Sequence, residues 1–142
     1  MRYAVDCDLR RVHCVDEAGR VICSNSKTIQ PILDSGLAIS DTILFEIASP
    51  LDYTDSKAIA HNKRRWTIWN VAQAVHLAHL TPCTVLVSPS HTWTRGHDAK
   101  LRQAAAGATA STHDLREAQA MLWYAQHRPQ DWKPLEDYLL SV

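Results

Sequence analysis

The sequence predicts an α/β fold: one mixed sheet with helices on its faces, in a single domain spanning residues 1–142. Three observations carry that prediction. Residues 1–25 break into short β-rich runs separated by turn residues. Two later runs, 42–48 and 84–87, are almost wholly apolar, as strands buried on both sheet faces are. The segments between and after them carry helical periodicity. With 46% hydrophobic and 21% charged residues the composition is that of an ordinary globular domain, large enough to need no disulfide or structural metal.

The elements follow in order. Residues 2–8 form a first strand that ends in acids, Asp6 and Asp8. In 9–15, Val12 and Cys14 alternate with Arg11 and His13, and 20–24 follows a Glu17-Ala18-Gly19 turn, so these two runs make a hairpin. Residues 26–37 read as a short, poor helix with Pro31 near its first turn and Gly36 near its end. The strand 42–48 is apolar except for Glu46, and 49–60 is a polar loop holding Pro50. The segment 61–80 is the longest helix. One of its stripes is Ile68, Val71, Ala72, Val75 and Ala78, and a second, part-aromatic one is Trp66, Trp69, Gln73, Leu77 and Leu80. One stripe is expected to cover the sheet and the other to find a partner, either another helix or a second copy of the chain. The strand 84–87 lies between Pro82 and Pro89, and a loop through Trp93 and Gly96 leads to a helix over 97–106. Small residues break the chain at 107–112 before a last long helix, 113–127, and Pro129 and Pro134 end regular structure ahead of a 135–140 tail. Five strands result: an antiparallel meander of three, then strands in parallel.

Several classes are excluded. No apolar run approaches the roughly eighteen residues of a membrane span, and the N-terminus enters a strand without the apolar stretch of a signal peptide, so a cytoplasmic protein is expected. Cys7, Cys14, Cys23 and Cys83 lie in strand-like runs without metal-site spacing and read as buried free thiols. The formal net charge is zero, but its distribution is uneven. Between residues 57 and 112 stand seven Lys or Arg (Lys57, Lys63, Arg64, Arg65, Arg95, Lys100, Arg102) against the single acid Asp98. A basic middle with acidic flanks suits a protein that offers one face to phosphates; a solvated helix face is the plainer reading of 63–65.

The chemistry is expected where acids are costly. Asp6 ends an apolar strand, Glu46 interrupts one, and Asp114 and Glu117 stand three residues apart on one side of the last helix, beside its Leu115-Ala118-Leu122 stripe. Four such acids at one end of a sheet can hold hard cations through oxygen. Singly, each has a bland reading: a turn cap, an edge acid, or a helix-start acid with Ser111 or Thr112 as cap.

The order of these elements, with Tyr3-Ala4-Val5-Asp6, Leu44-Phe45-Glu46, Gly96-His97-Asp98-Ala99-Lys100 and Asp114-Leu115-Arg116-Glu117, resembles the ribonuclease H-like superfamily. Within it the chain is most similar to RuvC-type Holliday-junction resolvases of the short phage kind. The family's glycine-containing turn after the first acid is replaced by Cys7-Asp8-Leu9, and Glu117 stands where Asp is usual. The resemblance implies a metal-dependent endodeoxyribonuclease in which Asp6, Glu46, Asp114 and Glu117 hold two Mg2+ ions (or Mn2+) and Lys100 offsets charge at the phosphate. Hydrolysis would leave a 5′-phosphate and a 3′-hydroxyl. It also implies a homodimer making paired nicks in a four-way junction, with Trp66, Trp69, Gln73 and Leu77 as candidate interface. Contacts to DNA are expected from Lys63, Arg64, Arg65, Arg95 and Arg102. Trp93 either stacks on a base or packs under its own loop, and His113 either shares metal or proton duties or lies in solvent. The alternatives are another nuclease of the same fold, an RNA-strand hydrolase or exonuclease, and an inactive module that only binds nucleic acid or protein.

Overall fold

In the computed structural model, which describes residues 1–8, 10–48, 57–95 and 97–141, three strands open the chain: Arg2–Asp8 (β1), Arg11–Asp16 (β2) and Val21–Ser26 (β3). Side chains are described except at Asp8 and 57–64. The strands pair antiparallel, as the hairpin signals require. Thr42–Ile47 (β4) pairs parallel to β1, and Thr84–Pro89 (β5) parallel to β4. Lys133–Pro134 (β6) adds antiparallel to β5, so the sheet has six strands in the order β3-β2-β1-β4-β5-β6, not five. The added strand is two residues long, and its Pro134 is tolerated because an edge position leaves its missing N–H unneeded.

Helices cover both faces. Lys57–Leu80 (α2), with the single turn Gln30–Leu33 (α1) and the C-terminal Leu135–Leu140 (α6), lies on one face; His113–His127 (α5) lies on the other, packed on β1 and β2. The remaining short helices are Ser90–Trp93 (α3) and Ala99–Ala105 (α4), the latter capped by the Asp98 carboxylate. Thr112 caps α5 by accepting from the Leu115 N–H. No helix among the described residues is long and apolar enough to cross a membrane.

Alternation along the strands sorts side chains into two cores. Tyr3, Val5, Cys7, Ile43, Phe45, Ile47, Val85 and Val87 face α2; Ala4, Val15 and Leu44 face α5 with Leu115, Ala118, Met121 and Trp93. All four cysteines are free and buried. Burial pushes the thiols of Cys7 and Cys14 well up and that of Cys23 to about 11.

The expected orientation of α2 is reversed in part. Ala74 and Leu77 are fully buried, and Trp69, Val71 and Ala78 pack on the same core. Ile68 and Val75, expected to cover the sheet, are 70% and 39% exposed. With an apolar stripe on each side, periodicity alone cannot choose between them. Leu77 is therefore a core residue with no surface to offer a partner, while Trp69 packs half-buried on the same core and Gln73 is half-buried.

Candidate active site

The strand register builds a polar row across the sheet. Asp6 on β1 pairs with His13 on β2, and Glu46 on β4 pairs with Ser88 on β5. Parallel pairing of β1 with β4 runs through Val5 and Phe45, so Asp6 and Glu46 occupy the next position on adjacent strands. Each lies two residues beyond a member of the α5-facing core (Ala4, Leu44), and His13 lies two before Val15, which places the row on the α5 face. Helix α5 begins above this end of the sheet and brings Asp114 and Glu117 down to it.

Asp6, Glu46, Asp114 and Glu117 line one cavity of about 230 Å³, together with Cys7, Trp66 and His113. Four acids from three separate stretches of sequence thus share one site. Asp6 and Glu117 are buried, Glu46 is half-buried, and the Asp114 side chain is 28% exposed. A larger cavity of about 310 Å³ opens at the other end of β1, between Arg2, Glu17, Gln119 and Trp123, and gathers no comparable set of acids.

Each acid whose partners are described is held by a designated donor. Glu46 accepts from the Trp93 indole N–H at 2.9 Å, and Asn70 on α2 clamps the backbone around it, donating to the Glu46 carbonyl and accepting from the Ala48 N–H. Glu117 accepts from Arg102 and Gln103, both at 2.9 Å. Gln103 accepts in turn from Arg116 and reaches His113 Nδ1 at 3.2 Å. Asp114 Oδ2 stands 3.4 Å from His13 Nε2. His13 Nδ1 accepts the Asn25 N–H, which fixes the other ring nitrogen as the one that carries the proton toward Asp114. Asn25 makes that bond from a left-handed backbone, φ 55°, a conformation asparagine tolerates well.

Several expected DNA contacts are placed elsewhere. Trp93 is 1% exposed and packs against Tyr124 and Trp132, so it cannot stack on a base. Arg102 is paired with Glu117, lies 5.2 Å over the Trp93 ring and donates to the His97 carbonyl, so it is not free for a phosphate. Trp66, half-buried, lines the acid cavity. Arg95 is bound to Asp131, with about half of its side chain exposed. Arg65 and Lys100 are exposed, and Lys100 is not among the residues lining the cavity. Lys63 and Arg64 lie within α2, with side chains outside the described residues, as Gly96 is altogether.

Sequence reasoning missed His13, Asn70, Gln103 and Arg116, the side chains that hold the acids. One signal pointed to His13. Asp8 stands opposite Arg11, three positions on in sequence, and counting back along that register sets His13 opposite Asp6.

The donor set is carboxylate oxygen with one adjacent imidazole, the hard chemistry that suits Mg2+ or Mn2+. Among the described residues no three His, Cys, Asp or Glu side chains are already grouped as a metal shell, and Glu117 is neutralised by Arg102. By donor type the residues fit a divalent cation, provided that the carboxylates turn inward to share it. No protein-family model, curated protein or solved structure matches this chain.

Proposed function

We propose that this chain is a ribonuclease H-like nuclease of the RuvC type, a metal-dependent endonuclease that resolves four-way or branched DNA junctions by paired nicks. The observation that carries this reading is the convergence of Asp6, Glu46, Asp114 and Glu117 on one cavity at the ends of adjacent parallel strands. In this reading the four carboxylates hold Mg2+ or Mn2+, which when bound supplies charge neutralisation and an activated water for phosphodiester hydrolysis.

The chain's own residues prepare the site. Asn70 and the Trp93 N–H fix Glu46 in position, so that little ordering is left to do when substrate arrives. His13 orients Asp114 from below. The N-terminus of α5 directs its positive end at the cavity, which favours carboxylates there and an anionic phosphate beside them. Exposed Arg65, Arg95 and Lys100 are the described cations of the 57–112 stretch left to meet the DNA backbone. Paired nicks require two such sites, hence a homodimer, formed through a surface other than the Trp69–Leu77 side of α2.

The test is cleavage of a labelled synthetic four-way junction with Mg2+ by the parent and by Glu46→Gln. Symmetric paired nicks from the parent alone are expected; a folded parent that binds the junction without cutting it sinks the nuclease reading. One observation favours a second reading, an inactive nucleic-acid-binding module of the same fold. The Arg102–Glu117 pair already satisfies one of the four acids from within the protein.

A further inference from the structure

One donor in the wall of the acid cavity has no acceptor among the described residues. It is the indole N–H of Trp66, whose nitrogen is buried while the residue as a whole is half-buried. The neighbouring carboxylates are engaged by other groups: Glu46 by Trp93, Glu117 by Arg102 and Gln103, Asp114 by His13. The hydroxyl of Ser88, beside Glu46 in the strand register and fully buried, is likewise without a partner among the described residues. An indole N–H can only donate, and a buried donor left unpaired costs about as much as the hydrogen bond it fails to make. Native interiors satisfy nearly all such groups, and the exceptions call for an explanation.

We propose that Trp66 is a substrate contact, its N–H donating to a non-bridging oxygen of a phosphodiester seated in the cavity. This rests on the nuclease reading for the identity of the ligand. The charge balance of the site explains why a neutral donor stands here. A Lys or Arg at this position would ion-pair with the carboxylates and compete with the cation for them. The indole N–H leaves their charge untouched, yet makes a charge-assisted bond as soon as an anionic oxygen arrives.

The substitution Trp66→Phe removes the N–H and keeps most of the ring. Two measurements test the proposal. The first follows the indole proton resonances of the five tryptophans by NMR while the phosphodiester dinucleotide TpT is added with calcium, which supports binding without turnover. The resonance absent from Trp66→Phe identifies Trp66 and is expected to move downfield, with smaller changes in the other four. The second compares junction cleavage and thermal unfolding of the two proteins. The variant is expected to show a kcat/KM for the junction at least about tenfold lower, as loss of one donor to the phosphodiester implies. Thermal unfolding serves only to show that the variant is folded at the assay temperature, since trimming the indole also removes packing.

A Trp66 resonance that stays in place throughout the titration overturns the inference, whether or not the protein cuts DNA. A variant that cuts as fast as the parent also overturns it. A parent that fails to cut removes the nuclease reading alone; movement of the Trp66 resonance then still assigns the contact to a phosphodiester.

Discussion

The two faces of the central sheet are made from alternate residues of the same strands, yet they hold themselves together differently. Toward α2, Val5, Phe45, Ile47 and Val87 interlock with Ala74 and Leu77, and the layer is mostly apolar, with thiols, the Tyr3 phenol and Asn70 as its polar groups. Toward α5, the apolar residues Ala4 and Leu44 give way at the strand ends to Asp6 and Glu46, flanked by His13 and Ser88. The first face is stabilised by area removed from water, which any well-shaped hydrocarbon provides. The second depends on particular donors meeting particular acceptors: Glu46, Asp114 and Glu117 each have a named partner whose loss leaves a charge or a polar group stranded. Stability without specific chemistry and chemistry held by specific partners are separated by the thickness of one sheet.

The sharpest way to break this comparison is to damage each face and ask whether a cation repairs it. Phe45→Ala, on the apolar face, opens a cavity under α2 and is expected to cost about 3–5 kcal/mol. Urea unfolding is expected to give the same loss with and without MgCl2. Arg102→Met, on the polar face, removes the cation from Glu117 while keeping the aliphatic bulk over Trp93. Breaking a fully buried pair costs about 3–5 kcal/mol; the residual exposure of Arg102 and Glu117 lowers the expectation to about 2–3 kcal/mol. Here MgCl2 is expected to restore part of the loss, because a divalent cation in the cavity takes over the charge that Arg102 supplied. Equal losses with and without magnesium in both variants would show that the acids do not gather a cation.

The sequence made the costly residues legible and left their supports hidden, for a physical reason. Glu46 interrupts an apolar strand and Asp6 ends one, so the expense of burying them is visible within a few residues of chain. His13 was not visible in that way, because its alternation with Val12 and Cys14 reads as solvent-facing. β2 is in fact an interior strand, covered on one face by α5, and from Val12 to Asp16 it is buried throughout. Asn70, Gln103 and Arg116 find their acceptors on other elements, 24, 14 and 13 residues away in sequence, and no local pattern records such pairings. Trp93 was read as a loop residue; a single helical turn, α3, directs it inward onto Glu46 instead. The sixth strand escaped because two residues, one of them a proline, carry no periodicity at all.

A smaller effect separates the acids of the cavity from an acid that serves structure alone. Asp16, at the other end of β2, has a fully buried side chain held by the Ala18 and Arg20 N–H groups and by the Arg20 guanidinium. Burial pushes its pKa up, but the hydrogen bonds and charge of Arg20 outweigh this, and the net shift is below the ordinary 3.8. A carboxyl with a lowered folded pKa contributes stability that is present above its unfolded value and lost as pH falls through the folded one. Asp16→Asn is therefore expected to cost about 1–2 kcal/mol at neutral pH. Its difference from the parent should fade in acid below pH 3.8 and stay insensitive to magnesium. A magnesium response equal to that of Arg102→Met would erase the distinction between structural and site acids.

The smallest effect tests the outer side of α2, where the apolar stripe of Ile68 and Val75 faces away from the core. Ile68 keeps 70% of its surface in the single chain, so Ile68→Lys removes almost no buried contact. Lysine is also the better helix former of the two, which offsets what little packing is lost. The monomer is expected to change by no more than about 0.5 kcal/mol, as surface substitutions do. A cost that stays small at every protein concentration would place any dimer interface elsewhere on the molecule. A loss that grows with protein concentration, with dissociation seen by sedimentation, would mean that a second copy covers this stripe. In that case α2 would have one side in the core of its own chain and the other in an interface, which would account for the two apolar stripes that periodicity alone could not rank.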